Sequence, residues 1–430
     1  MSAPGPSKKR ARDEEAAEGS SASAKRKVHP FFQKRSDTQD DVLEEPKPFQ
    51  WLPSLGPRKT CFHAINLKPV NASKVAALDL DGTVIKADLR HSTDWQWWAP
   101  IVPKKLRELH NEGYSIVLIS NQNLKAGKLN TWKEKVAKVA KALEDVPFRL
   151  LSATEKDEFR KPMPGMYHEL EKIFAKDGVQ IDKGQSFFVG DAAGRIYSKT
   201  KKDFASTDRK WALNVDLKFL TPEEYFLGLP PHPTYELPGF DPSTLPELPE
   251  VLPSSSALLL PPLTQELVVF VGFPSLGKTS FFRKHFQAAG YTHINQDTLK
   301  TRAKCVSAVV DAVKEGKSCV VDNTNKDAAT RKLYIDIAKK NKIPVRCFYF
   351  TGSIDLAWHN NLYRAFVQPL AELEVRRDLV PYLAYVQFRD GFEEPGADEE
   401  FTEIKRVNFV FEGTEEERRR WSMWLQITGK

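Results

Sequence analysis

The chain has only four cysteines in 430 residues, Cys61, Cys305, Cys319 and Cys347, and no two of them form a CxxC pair. That scatter argues against a disulfide framework or a thiolate zinc site and makes a reducing compartment the default. No uninterrupted apolar run is long enough to cross a bilayer, and the first residues are polar where a signal peptide would be apolar. These absences predict a soluble intracellular protein with no membrane partner. Excess charge is also small. A net charge of +7, from 64 basic and 57 acidic residues, permits a polyanionic partner without demanding one. No internal repeat is visible. What is present is 41% hydrophobic and 11% aromatic residues, enough at this length for two or three globular domains.

Residues 1–55 are read as a tail, rich in Ser, Ala, Lys and Glu, with little to bury and an expectation of disorder. Its basic residues clump at Lys8-Lys9-Arg10-Ala11-Arg12 and Lys25-Arg26-Lys27, which suits nuclear import, loose phosphate contact or a solvated charge run. Residues 56–227 alternate strand-like segments (Val75–Leu78, Ser115–Ile119, Ser186–Val189) with helical patterns near Trp132–Leu143 and Met166–Phe174. That alternation predicts an α/β domain with a parallel sheet. Residues 228–264 are crowded with proline, which supports neither central strands nor helix interiors, and read as a semi-extended linker. A second α/β block, 265–430, starts with the strand-like Glu266–Val271.

Asp79-Leu80-Asp81-Gly82-Thr83 follows directly on the Val75 strand, at the end of a parallel strand where open α/β sheets bind ligands. Two aspartates at i and i+2 suit metal-assisted phosphoryl transfer. Asp79 would attack phosphorus, Asp81 would act as acid and then base, and Mg²⁺ would offset repulsion between carboxylate and phosphate. An aspartate-capped turn is the plainer reading, but four fixed letters arise by chance on the order of a few times in a thousand chains of this size. Thr83, Ser120 and Asn121 are candidate phosphate-binding residues. Lys161, in Arg160-Lys161-Pro162, supplies a cation, and Asp191, in Val189-Gly190-Asp191-Ala192-Ala193-Gly194-Arg195, is a metal ligand beside Asp79 and Asp81. Asp203 and Asp208 are possible outer metal groups. Lysines 199, 201, 202 and 210 suit either a nucleic-acid backbone or a solvated loop.

Gly272-Phe273-Pro274-Ser275-Leu276-Gly277-Lys278-Thr279 fits GxxxxGK[ST] between a hydrophobic strand and the helix-like Ser280–Gln287. Chance gives this pattern in about one chain in a hundred of this size. Gly272, Ser275 and Gly277 belong to a loop whose N–H groups would wrap the phosphates of ATP, Lys278 would reach the β- and γ-phosphates, and Thr279 would hold Mg²⁺. Asp297, in Asn295-Gln296-Asp297-Thr298-Leu299, is the candidate base for a substrate hydroxyl, though it reads also as a helix cap. Asp322 ends the Val320 strand as an acid near the nucleotide, and Arg364 is a candidate lid over the transferring phosphate.

A chain that adds and removes phosphate on one group would waste ATP. Either the two halves are alternately regulated on a metabolite, or they act on different positions of one substrate, such as the 3′-phosphate and 5′-hydroxyl of a broken strand. A basic chain with clumped lysines favours the second. The first half resembles haloacid dehalogenase-like phosphatases. The succession DLDGT, SNQ, RKP, GDAAGR, KKDF, TPEE, GFPSLGKT, NQDTL, VVDNTN and HNN resembles the eukaryotic polynucleotide kinase 3′-phosphatase family. The resemblance implies two doubly wound parallel-sheet α/β domains in series, a haloacid dehalogenase-like phosphatase and a P-loop kinase. It implies Mg²⁺ and ATP as cofactors, DNA strand-break ends as partners, a nuclear location and a monomer. It also implies Asp79 as nucleophile, Asp81 as acid/base, Asp191 as a Mg²⁺ ligand and Asp297 as kinase base. The chain departs from the family in three places. Its tail is too short and polar for the forkhead-associated domain of animal members, a layout closer to fungal members. Gln296 stands where the family has arginine before the kinase base, and Lys304 stands where an arginine grips the acceptor nucleotide.

Overall fold

Val75-Ala76-Ala77-Leu78 is apolar without alternation, and it forms a strand buried on both faces, as a parallel strand covered by helices must be. In the computed structural model, which describes residues 48–87, 92–261, 264–369 and 377–427, this strand is the third of a seven-stranded sheet. The strands are β1 (Phe49–Leu55), β2 (Cys61–Asn66), β3 (Val75–Leu78), β4 (Ser115–Asn121), β5 (Phe148–Ala153), β6 (Phe187–Val189) and β7 (Lys218–Leu220), in the order β1-β2-β5-β4-β3-β6-β7. Helices α1 (Val102–Asn111), α2 (Ala126–Ala142), α3 (Gly165–Ala175), α4 (Thr207–Val215) and α5 (Pro222–Leu227) complete this half. Leu106 and Val136 pack on one face of the sheet, and Leu170 and Trp211 on the other, so the sheet is wound on both sides.

Residues 49–55, assigned to the tail, are a strand instead. Phe49 and Trp51 fall two residues apart and so share a face; Trp51 packs on Phe62 and Trp132 with ring centroids 6.0 and 5.8 Å away. Bulk composition hides that short aromatic alternation. The sheet is also not wholly parallel, because β1 and β2 join its edge antiparallel. The basic clusters at Lys8–Arg12 and Lys25–Lys27 lie outside the described residues.

The second sheet contains β8 (Val251–Leu252), β9 (Leu267–Val271), β10 (Thr292–Ile294), β11 (Cys319–Asp322), β12 (Val345–Phe350) and β13 (Glu403–Val407), ordered β10-β11-β9-β12-β13-β8. All pairs are parallel except β8 with β13. Its helices are α6 (Lys278–His285), α7 (Gln296–Leu299), α8 (Arg302–Lys314), α9 (Ala328–Lys340), α10 (Ile354–Leu362), which runs into a π-turn at Tyr363–Val367, α11 (Tyr382–Asp390) and α12 (Glu415–Trp421). The proline-rich segment supplies β8 and thus docks as a strap. Its unpaired carbonyls need donors. Arg346, ion-paired to Glu266 at 2.6 Å, donates to the carbonyls of Ala257 (3.1 Å) and Leu258 (3.0 Å), and Lys405 donates to that of Ser256 (3.1 Å).

β3 and β9 occupy equivalent places. The chain leaves β3 towards β4 and later returns on its other side as β6; β9 likewise lies between β11 and β12. Such reversals open a crevice at the strand ends. The two halves meet through α4. Asn214 donates to the carbonyls of Pro162 (2.9 Å) and Trp424 (2.8 Å) and accepts from the Trp424 N–H (2.7 Å). Lys210 is buried here, donating to the carbonyls of Pro238 and Gln426, and burial lowers its pKa to about 8. It therefore does not track a nucleic-acid backbone. No helix among the described residues is long and apolar enough to cross a membrane.

His359 on α10 is 2% exposed, and its Nε2 donates to the Trp421 carbonyl at 2.6 Å. Burial lowers its pKa to about 4, only partly opposed by that hydrogen bond. A histidine held neutral in the fold contributes stability that is full above the unfolded pKa and is lost as pH falls towards the folded one. Between about pH 7 and about pH 5 this histidine should cost about 2 kcal/mol of stability. Urea-unfolding midpoints of the wild type and His359→Gln check this: the variant should show a shallower acid limb, and an unchanged limb would contradict it.

Candidate active sites

The first site forms where three parallel strands end. Asp79 follows β3, Ser120 and Asn121 end β4, and Asp191 follows β6. Gly82 has φ +96°, and a Cβ there would collide with the Asp191 carboxylate; a Cβ on Gly190 would strike Asp208. Both glycines are thus required for the carboxylates to come this close. Lys161, 1% exposed, bridges Asp79 Oδ1 at 2.6 Å and Asp208 Oδ1 at 2.8 Å. Asp208 Oδ2 also accepts from the Ala192 N–H at 3.0 Å, pinning the loop that carries Asp191.

Burial raises the Asp79 carboxyl to about 7; Lys161 pulls it down, and Asp208 and Asp81 push it up. Burial, then Asp79 and Asp208, hold the Asp191 carboxyl well above its ordinary value. Burial disfavours the Lys161 ammonium, but Asp208 and Asp79 outweigh it and its pKa rises. One ammonium thus faces a trio, Asp79, Asp191 and Asp208, whose ligand atoms lie within 4.8 Å of one another. Such crowding calls for a second cation, and an all-oxygen donor set suits a hard one such as Mg²⁺.

Asp208, read only as an outer group, belongs to the trio. Asp81 does not: its Oδ2 accepts from Gln122 Nε2 at 2.7 Å, and its buried Oδ1 has no hydrogen-bond partner among the described residues. Asp203 also lies outside the trio, held by Arg195 Nε at 2.8 Å. Ser120 lines the cavity of about 400 Å³ over the trio, accepting from Gln122 at 2.9 Å. The Asn121 side chain is engaged with Lys161, donating to its carbonyl (3.0 Å) and accepting from its N–H (2.9 Å). Its amide therefore positions Lys161, and Asn121 also lines the cavity beside Ser120. Thr83 is fully buried with no hydroxyl partner among the described residues. Gln122, which links Asp81 to Ser120, was not singled out in the sequence; it is simply the next residue after Asn121.

In the second site Ser275 (φ +66°) and Gly277 (φ +88°) turn the loop after β9 through left-handed conformations, the alternation that forms an anion nest. Lys278 is buried and donates to the carbonyls of Gly272 (3.0 Å) and Phe273 (2.5 Å); burial lowers its pKa to about 8. Thr279 Oγ1 donates to Asp322 Oδ2 at 2.6 Å, and His293 Nε2 lies 2.9 Å from the same oxygen. Arg364, in the π-turn, donates through Nη2 to Ser275 Oγ at 3.1 Å, while its buried Nε has no partner among the described residues. That unmatched donor fits a polyphosphate. Asp297 is exposed on α7, close enough for its charge to act on both Lys278 and Arg364. Gln296 and Lys304 are exposed in the first turns of α7 and α8. A cavity of about 520 Å³ adjoins the loop, lined by Gly277, Arg283, Arg364 and Phe409.

Residues 74–226 match the family described as polynucleotide kinase 3 phosphatase, and residues 267–374 match an AAA domain family. A Schizosaccharomyces pombe protein named bifunctional polynucleotide phosphatase/kinase is 36% identical, spanning 91% of this chain and 92% of its own. An Acanthamoeba polyphaga mimivirus protein, named putative bifunctional polynucleotide phosphatase/kinase, is 33% identical over 83% of this chain and 90% of its own. The Arabidopsis thaliana polynucleotide 3′-phosphatase ZDP is 33% identical over 36% of this chain and 24% of its own. With two crevices at strand ends on one chain and likeness along nearly its whole length, this protein is an enzyme of the bifunctional polynucleotide phosphatase/kinase family.

Proposed function

We propose that this enzyme prepares DNA strand breaks for ligation, removing 3′-phosphates at the first site and phosphorylating 5′-hydroxyls at the second. The observation that carries the reading is the Asp79–Lys161–Asp208 bridge beside Asp81. Asp79 is ion-paired to an ammonium at 2.6 Å, which opposes the upward pull of burial on its carboxyl, and Asp81, two residues on, keeps a buried oxygen unengaged among the described residues.

Asp79 Oδ attacks the phosphorus of the terminal phosphate, and the P–O3′ bond breaks as Asp81 donates a proton to O3′. Asp81 then takes a proton from water, which attacks the aspartyl-phosphate and releases inorganic phosphate. Lys161 balances the charge on Asp79 and, through Asp208, fixes the loop of Asp191. Asp79, Asp191 and Asp208 would hold Mg²⁺, which when bound neutralises phosphate charge.

At the second site Asp297 takes the proton of the 5′-hydroxyl, O5′ attacks the γ-phosphorus of ATP, and ADP leaves. Lys278 and Arg364 orient the phosphates, and Thr279 with Asp322 would hold the accompanying Mg²⁺. The basic clusters at Lys8–Arg12 and Lys25–Lys27 support a nuclear location.

Asp79→Asn should cut 3′-phosphate release to below about one part in a thousand while leaving 5′ phosphorylation intact. Lys278→Ala should do the reverse, lowering the kinase about a hundredfold or more. A single nicked duplex labelled at both termini reads the two reactions together, and loss of both in either folded variant contradicts independent sites. Asp208→Asn should lower phosphatase turnover about 10- to 100-fold and raise its Mg²⁺ requirement. Turnover titrated against Mg²⁺ checks this, and wild-type behaviour would remove Asp208 from the site.

A further inference from the structure

Phe204 is 69% exposed, yet it lines the cavity that holds Asp79, Asp81, Lys161 and Asp191. Burying a phenyl ring is ordinarily favourable, so a ring left open at the mouth of a polar cavity awaits a partner. Its backbone is held firmly from both sides. Asp203 receives Arg195 Nε at 2.8 Å, the Arg195 N–H at 3.0 Å and the Tyr197 hydroxyl at 3.1 Å. Arg195 is fixed in turn to Glu223 at 2.7 Å. On the other side the Ala205 carbonyl accepts from the Gly194 N–H at 2.9 Å. The hairpin so braced, closed by an Ile196–Lys202 bridge, carries Lys199 and Lys201 exposed to solvent. Among the described residues no aromatic ring packs on Phe204. Leu124 and Ile427, both half-buried, also line the cavity.

Taking the first site as the 3′-phosphatase proposed above, a phosphate at Asp79 must carry its nucleoside outward through this mouth. We infer that Phe204 is the platform on which the 3′-terminal base stacks, making it the residue that selects a polynucleotide end over a phosphate lacking a base. Every base presents a π-face, so such a platform is tolerant of sequence. An aromatic at the mouth, apolar neighbours and a lysine-bearing hairpin suit a single-stranded terminus.

The test uses the full chain with two 3′-phosphorylated oligonucleotides, one intact and one abasic at its terminal residue. Phe204→Ala should raise KM for the intact oligonucleotide about tenfold or more with kcat little changed, since stacking on one aromatic contributes roughly five- to hundredfold in affinity. On the abasic oligonucleotide the variant and wild type should agree within about twofold. Phe204→Trp should restore KM on the intact substrate. An equal loss on both substrates, or no change on the intact one, overturns the role of Phe204. A wild-type chain releasing phosphate from neither oligonucleotide would instead sink the phosphatase reading and this inference with it.

Discussion

A single buried ammonium among carboxylates governs the front half of this protein. Lys161 can remain charged at 1% exposure only because Asp79 and Asp208 reach it at 2.6 and 2.8 Å. Those carboxylates can come together only where β3, β4 and β6 end side by side, and only if Gly82 and Gly190 leave their Cβ positions empty. Asn121 clamps the Lys161 backbone, Asp208 pins the Asp191 loop, and Gln122 ties Asp81 to Ser120. Each element near the site is set by that one charge balance.

The back half places its site at a similar reversal of strand order, although its strand order differs: β11, not β10, lies beside β9. Its crevice also opens beside a central strand, but the loop after β9 turns through left-handed conformations beside two cations, the buried Lys278 and the half-buried Arg364. One half gathers carboxylates around a single buried ammonium, and the other sets cationic side chains beside a turn of backbone N–H groups. The halves are joined through Asn214 and Lys210 of α4, the helix that also carries Asp208, and the carbonyls of Trp424 and Gln426. That segment then passes Ile427 into the wall of the phosphatase cavity.

Much of this is legible in the sequence because the motifs are local. Asp79 and Asp81 are two residues apart, and the loop from Gly272 to Thr279 is contiguous, so strand, turn and chemistry can be read together. β3, β4, β6, β9 and β11 are continuous apolar runs of the kind that parallel, doubly covered strands require. What escaped reading depends on tertiary contact. Phe49–Leu55 looks like tail until Trp51 meets Phe62 and Trp132. Asp208 and Asp203 are alike in sequence, and only the fold brings one to Lys161 and the other to Arg195. Asn121 reads as a phosphate donor, and only the fold shows that its amide also clamps the Lys161 backbone. Lysines 199, 201, 202 and 210 form one cluster on paper, yet the last is turned into the junction between the halves.

The central claim is that Asp79 briefly carries the phosphoryl group. Wild-type enzyme should be mixed with an oligonucleotide bearing a radiolabelled 3′-phosphate, quenched in acid within a turnover, digested and mapped. Label should be found on the peptide containing Asp79, stable in acid and released by hydroxylamine, with none on that peptide in Asp79→Asn. Inorganic phosphate released at full rate with no label ever retained at Asp79 would contradict the account.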